Sequence, residues 1–306
     1  MTGLRLIKSN RRVFLYVVFD KMNKHGMLHW LNDSTFLKIY YWLTFGKKLR
    51  LKDPIFFNEK LQWLKLYDHR LEYVSMVDKI AVKDYIAKRI GAEYIIPTLG
   101  VWDRPEDIDW DILPNQFVLK WNHDSGSIVI CKDKNKFDRE AAIKKLSYGA
   151  KVNGFWYGRE WPYKGVSPKL LAEKYMEDSK TSELRDYKVF CFDGVVKIVL
   201  IASDRQKKGE EVKFDFFDVE GNHLNIVNNH PQASVIPELP VTFNKMVALA
   251  EKLSQGFPHL RVDFYEVNGD VYFGEITLYH GSGFMNWKPD EWNEIMGNWL
   301  HLPNRL

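Results

Sequence analysis

With 306 residues and 45% hydrophobic content, the chain carries enough apolar material for two domains or one large domain with lobes. A formal charge of only +4 falls far short of the clustered basic footprint of a nucleic-acid binder, although it suits an anionic small substrate. The two cysteines, Cys131 and Cys191, have no CxxC or Cys/His partner at metal spacing, so they read as buried reduced thiols.

The longest apolar run near the start, Val13 to Phe19, is too short to cross a bilayer and lacks a small-residue cleavage site, so the chain reads as cytoplasmic. Arg5, Lys8, Arg11 and Arg12 lie ahead of this run. Such an arm either touches an anionic membrane surface, peripherally at the inner face, or is solvated ahead of a buried helix. Residues 1–75 as a whole show helical periodicity, with FLKIYYWLTFG and NEKLQWLKLYDH on either side of Pro54, and read as a helical N-terminal segment.

In VDKIAVKDYIAKRIG, Asp78 is placed to cap a helix that Gly91 ends. Lys79 and Lys83, four apart, share a helical face, where they repel unless an anion lies between them; plain solvation is the alternative. FVLKWNHDSGSIVICKD has the form strand, Gly/Ser loop, strand. Lys120 emerges where the loop begins, and Ser125, Gly126 and Ser127 offer accessible backbone N–H groups, either for phosphate or merely for a hairpin turn.

A helix from Arg139 to about Leu146 leads to NGFWYGREWPYKG. Trp156, Tyr157, Trp161 and Tyr163 cannot all be buried in so irregular a segment; some are available to stack on a ligand. KLLAEKYM predicts a strand, and DYKVFCFDGVVKIVLIAS a two-stranded meander turning at Asp193-Gly194. Glu173 and Lys188 are charges within apolar strands and need partners. Residues 211–240 read as a strand and a surface excursion, and Phe243 to Leu253 as a helix.

RVDFYEVNGDVYFGEITLYHGSG predicts a hairpin turning at Asn268-Gly269. Alternation puts Glu275 on the face of Val271 and Phe273. Asp263 and Glu275 brought together, with Arg261 alongside and a Gly-Ser-Gly loop beyond, form a candidate divalent-cation and phosphate site; an edge hairpin with solvated acids is the alternative.

In order and spacing these pieces resemble the ATP-grasp superfamily over about residues 53–300, and most closely its TupA-like branch, associated with teichuronopeptide and surface-polysaccharide biosynthesis. The resemblance implies an α+β ATP-grasp fold, two α+β lobes clasping ATP behind the helical segment 1–75, with a small lobe at 76–176 and a C-terminal lobe at 177–306. It implies ATP and Mg²⁺ as cofactors. Lys79 and Lys120 would contact phosphate, Ser125, Gly126 and Ser127 would cover it, and Glu173, Tyr175 and Met176 would meet the adenine edge. Lys188 would be a further phosphate ligand, Asp263 and Glu275 would hold Mg²⁺, and Arg261 would steady phosphate or intermediate. Thr277 stands where many relatives have Asn, and its hydroxyl is a weaker metal ligand.

The chemistry implied is carboxylate–amine ligation through an acyl phosphate, with His280 taking a proton from the amine. The substrates implied are a uronic acid of a surface glycan or its precursor, and an amino acid or small amine; no nucleic acid is expected. Two rivals are a glycosyltransferase, for which Asp107-Ile108-Asp109 and Asp215-Phe216-Phe217-Asp218 are the nearest metal motifs, and a non-catalytic ATP-binding protein.

Overall fold

The computed structural model describes residues 11–124, 126–179, 184–204, 209 and 211–304. The chain opens with helices α1 (Arg11–Lys24), α2 (Asp33–Phe45), α3 (Phe57–Tyr67), α4 (Glu72–Val77) and α5 (Val82–Arg89). Asn32 caps α2 by accepting from the Thr35 N–H at 2.9 Å, and Gly46 ends it in the left-handed region, where a residue without Cβ is unstrained. Asp78 does cap, accepting from the N–H groups of Ile80 and Ala81, but a turn follows it and α5 begins only at Val82.

A four-stranded antiparallel sheet comes next, built from β1 (Thr98–Trp102), β2 (Phe117–Trp121), β3 (Val129–Cys131) and β4 (Leu170–Lys174) in the order β1-β4-β2-β3. Helices α6 (Arg139–Gly149) and α7 (Gly154–Gly158) lie between β3 and β4. Alternation divides the two faces. Phe117, Leu119 and Trp121 turn inward with Leu170 and Ala172 onto Leu146 of α6, while Val118 and Lys120 pair with Glu173 and Leu171 on the opposite face.

The larger sheet has the order β11-β10-β5-β6-β7-β8, from β5 (Asp186–Phe192), β6 (Val195–Ser203), β7 (Lys213–Phe217), β8 (His223–Leu224), β10 (His259–Val267) and β11 (Asp270–Thr277). The short strands β9 (Val227–Asn228) and β12 (Trp287–Lys288) pair separately, and α8 (Phe243–Ser254) and α9 (Glu291–Trp299) complete the chain. Asp193-Gly194 and Asn268-Gly269 each turn with two positive φ angles, the geometry that matches the twist of a two-residue hairpin. One face of the sheet, with Val189, Cys191, Leu260 and Val262, belongs to the main core, where Cys191 reaches Ala250 of α8. On the other face Phe192 and His259 pack against Phe57 and Trp299, and the remaining end opens into a cleft. Both cysteines are free and buried.

Two expectations change here. Gly274 is the extra residue of a β-bulge: Asp263 pairs with Glu275, but Phe264 pairs with Phe273. The bulge shifts the alternation by one, so Val271 and Phe273 stay in the core with Ile276, while Glu275 is re-aimed to the opposite face beside Asp263. The run Val13 to Phe19 is also not a buried helix. Phe14, Leu15, Val17 and Val18 are exposed, and α1 docks through its other side onto a separate apolar cluster centred on Phe36, Leu37 and Tyr41 of α2. Arg5 and Lys8 lie outside the described residues. Arg12 is bound within the fold, donating to the carbonyls of Leu43 and Thr44 at 2.6 Å. The helical segment is not one block, since Phe57, Leu61, Trp63 and Tyr73 of α3 and α4 share the core of the larger sheet.

His259 sits deep in that core, its Nδ1–H donating to the Cys191 carbonyl at 2.8 Å, and burial pushes its pKa down from 6.5 to about 3. An unfolded chain takes up this proton below 6.5 and the folded chain does not until about 3. Stability is therefore full above pH 6.5 and falls as pH drops through that window, by at most about 1.4 kcal/mol per pH unit. Urea denaturation between pH 7 and 4 should show this slope, and His259→Gln, which keeps a donor but does not titrate, should reduce it, leaving the share that the other histidines held below 6.5 contribute.

Candidate active site

The cleft lies between the Val118, Lys120 and Glu173 face of the small sheet and the polar end of the larger one. On the small-sheet side Glu173 is buried and bridges two ammonium groups, Lys120 Nζ at 2.5 Å and Lys83 Nζ at 2.7 Å. Burial opposes its charge, but Lys120 and Lys83 outweigh that and hold the carboxyl below its usual range. Lys83 also donates to the Ile96 carbonyl and the Thr98 hydroxyl. Lys79, in the turn before α5, donates to the Asp124 carbonyl at 2.6 Å, and burial lowers its pKa and that of Lys83. This wall therefore sets the cations Lys79, Lys83 and Lys120 against the carboxylates of Glu173 and Asp124, an excess of positive charge that favours an anion.

Two cavities meet here, both bordered by Gly126. The first, about 400 Å³, is a slot between Val118, Ile130, Met176, Leu184 and Tyr265, with Lys120 and Glu173 at one end. Met176 is 8% exposed and packs with Ile96 and Val267, and the Tyr175 ring lies under Lys132. The second, about 540 Å³, is bordered by Asp124, Ser127, Tyr157, Glu160, Tyr163, Arg261, Glu275, Thr277 and Ser282. Ser127 fits closely over Gly149, where a Cβ would come within 2.2 Å of its hydroxyl. Ser125 lies outside the described residues.

The floor of the cleft is the polar end of β5, β10 and β11. Lys188 faces Asp263 across the β5–β10 ladder, and Arg261 and Asp263 face Thr277 and Glu275 across the hairpin. Asp263 is 1% exposed and fully engaged, accepting from Arg261 Nε at 2.6 Å, Arg261 Nη2 at 2.7 Å and Lys188 Nζ at 2.6 Å. Burial opposes this charge, yet Arg261 and Lys188 prevail and lower its pKa to about 2. Lys188 also donates to Asp186 at 2.6 Å, and Glu275 accepts from Arg261 at 3.2 Å.

His280 is not where an amine could reach it. It is 4% exposed and lies behind Arg261, its Nδ1 accepting from Nη1 at 2.8 Å and its ring packed against Phe190 and Trp287. Burial, then the Arg261 charge, drives its pKa well below 6.5, so the expected proton acceptor is instead a neutral ring that orients the guanidinium. In the aromatic segment, Trp156 stacks on His29 at 3.6 Å and Trp161 donates to the Asp68 carbonyl. Tyr157 and Tyr163 remain at the cavity.

Sequence reasoning missed Lys83 as a partner of Glu173, and it missed Lys65 and Glu160. Lys65 reads as a solvated residue of an amphipathic helix, but the loops at 158 and 282 cover it. It is 2% exposed and donates to the carbonyls of Gly158 and Ser282 at 2.6 and 2.9 Å and to the Ser282 hydroxyl at 3.1 Å. Burial pushes its pKa down to about 7 and that of neighbouring Glu160 up. Gly281, Ser282 and Gly283 all have positive φ, and a Cβ on Gly158 would meet Ser282 Oγ at 1.7 Å. Gly158→Ala should displace this cavity wall and cost about 1–3 kcal/mol in urea denaturation. ATP affinity should stay unchanged.

No curated protein matches the chain. Similar solved structures include a D-alanine–D-alanine ligase from Bacillus anthracis complexed with ATP, at 17% identity over 66% of this chain and 55% of that one, with a TM-score of 0.38. The ATP-grasp ligase PsnB, complexed with a phosphomimetic variant of minimal precursor, Mg and ADP, shows 10% identity over 89% of this chain and 68% of that one, with a TM-score of 0.42. A D-alanine–D-alanine ligase from Helicobacter pylori shows 14% identity over 81% and 68%, with a TM-score of 0.43. The chain spans less than two thirds of the length of the Bacillus anthracis ligase. The family model described as TupA-like ATPgrasp matches residues 59–301, most of the chain, and the protein belongs to that family.

Proposed function

We propose that this ATP-grasp protein is an ATP- and Mg²⁺-dependent ligase that joins a carboxylate to an amine. The observation that carries this reading is the cleft itself, in which an apolar slot bordered by Lys120 and Glu173 meets, at Gly126, a cavity bordered by Arg261, Glu275 and Thr277, with Asp263 and Lys188 buried directly behind Arg261. The slot suits a flat adenine ring beside Met176 and Tyr175. Lys79 and Lys120 on one wall and Lys188 and Arg261 on the floor take the phosphates, with Gly126, Ser127 and Ser125 as their cover. Lys83 holds Glu173, and through it Lys120, in place.

The donor set fits Mg²⁺. This ion is usually held by one or two carboxylates together with phosphate oxygens and water; Glu275, partly exposed at the cavity beside Thr277, would be the accessible carboxylate, and its cross-strand partner Asp263 would join by sharing an oxygen with Arg261 or Lys188. When bound, Mg²⁺ would neutralise charge on the phosphate oxygens. The protein's own groups position the rest. A substrate carboxylate oxygen attacks the γ-phosphorus and ADP leaves; the amine nitrogen then attacks the acyl carbon, phosphate departs and the amine gives up a proton. Arg261, held by Asp263 and His280, and Lys188 face the charge that spreads over the transferring oxygens.

The carboxylate proposed is a uronic acid of a surface polysaccharide or its precursor, and the amine an amino acid or small amine. Support comes from the exposed rings of Tyr148 and Tyr157, which with Trp156 border a hollow of about 330 Å³. That hollow shares Val152 and Tyr157 with the larger cavity. The glycosyltransferase reading loses its metal motifs. Asp215 is fully buried and bonded to His223, Asp218 holds Asn222, and Asp107 is paired with Arg104. None of these three borders either cavity of the cleft. Thermal unfolding tests the choice: a rise in Tm with ATP and Mg²⁺ but not with nucleotide sugars supports the ligase, and the reverse pattern refutes it.

A further inference from the structure

We propose that α1 is a membrane-docking helix that lays its outward face on an anionic lipid surface. Its inward face is used by the fold. Phe19 and Met22 join the cluster of Phe36 and Leu37, Tyr16 stacks on Tyr40 at 5.5 Å, and Asn23 donates to the Trp156 carbonyl at 2.7 Å. The outward face runs through Arg11, Phe14, Leu15, Val18 and Lys21, a spacing of three and four that forms one continuous stripe. Phe14 is 51% exposed and Leu15, Val17 and Val18 about 40% each, while Met27 and Trp30 just beyond the helix reach 59% and 79%. Apolar side chains left in water in one contiguous patch mark a surface that something covers.

The charges decide what covers it. Between residues 11 and 30 the cations outside the fold are Arg11, Lys21 and Lys24, Arg12 being turned in to the Leu43 and Thr44 carbonyls, and the one acid of this stretch, Asp20, is held by Lys24 at 2.8 Å. The sequence ahead adds Arg5 and Lys8 and no acid. An apolar stripe edged by cations, followed by an exposed tryptophan, matches a bilayer interface with negative headgroups, where rings and aliphatic groups enter the acyl boundary and lysines stay among the phosphates. A second copy of the same face would instead bring like charges together. No helix among the described residues is long and apolar enough to cross a membrane, so the contact is peripheral. Asn23 and Lys24 of α1 also border the 330 Å³ hollow, which puts the docking stripe and the substrate cavity on two sides of one helix.

Flotation of the full chain with vesicles tests this. Protein should float with phosphatidylcholine vesicles containing about 30% phosphatidylglycerol and stay behind with phosphatidylcholine alone, and about 0.5 M NaCl should weaken the binding. Phe14→Glu with Val18→Glu should reduce flotation at least about tenfold with Tm unchanged, because both side chains are outside the packed core. ATP-dependent ADP release in solution by that variant should equal that of the wild type, so loss of docking is separable from loss of the site. Three results would overturn the proposal: equal recovery with both vesicle types, a dimer that the double variant dissolves and vesicles do not compete for, or vesicle binding seen only after residues 1–9 are deleted, which would make the chain's own N-terminus the cover.

Discussion

Glu275→Gln should lower ATP turnover about a hundredfold or more and leave the fold intact, whereas Asp263→Asn should lose turnover and stability together. The two acids face each other across one hairpin but stand in different surroundings. The Glu275 side chain is 34% exposed and accepts from Arg261 at 3.2 Å, so neutralising it removes the proposed ligand for Mg²⁺ and part of the charge facing Lys79 without leaving a buried cation unpaired. Asp263 is the shared counter-ion of two buried cations, and Asn in its place offers a single uncharged acceptor to Arg261 and Lys188. Leaving a buried cation without its partner costs about 3–5 kcal/mol. Urea denaturation separates the two variants and ADP formation groups them. Equal stability for both would show that the Arg261–Asp263–Lys188 cluster is not the keystone of the cleft floor.

The second large effect is expected on the opposite wall. Lys120→Met should weaken ATP binding about ten- to a hundredfold while adenosine binding changes little, because it removes the proposed charge–charge contact to phosphate and spares the apolar slot. Glu173→Gln should give a similar loss for a different reason. With the bridging carboxylate neutralised, Lys83 and Lys120 repel and no longer converge on one point. Calorimetric titration with ATP and with adenosine reads both variants. An equal loss for both ligands in Lys120→Met would place Lys120 in the ring slot instead of on the phosphates.

Much of this architecture is legible in the sequence, where local chemistry decides the structure. Asn268-Gly269 and Asp193-Gly194 can adopt paired positive φ angles at little cost, so the hairpins of β10–β11 and β5–β6 follow from the residues at their turns. Lys120 and Glu173 meet because both sit in strands whose alternate residues are apolar and inward. What could not be read depends on contacts distant in sequence. The bulge at Gly274 overrides simple alternation: it takes Glu275 off the face of Val271 and Phe273, and only with it does the expected meeting of Glu275 and Asp263 come about. Lys65 is buried by loops more than ninety residues away, so its helix pattern gives no sign of its environment. His280 follows two strands' worth of site residues and invites a catalytic role, yet the rings of Phe190 and Trp287 enclose it. Val13 to Phe19 misleads in the other direction: apolar residues imply burial, but among the described residues α1 is covered on one side, by the Phe36 cluster and the Trp156 segment, and Phe14, Leu15, Val17 and Val18 are left outside.

The most direct test of the account is ADP release by the purified protein with ATP and Mg²⁺, supplied with a uronic-acid glycan, an amine, both or neither. The ligase reading predicts ADP and phosphate in equal amounts only when both are present, with an amide product whose mass equals the two substrates less one water. ADP formation that ignores the amine, or glycosyl transfer from a nucleotide sugar, would contradict it.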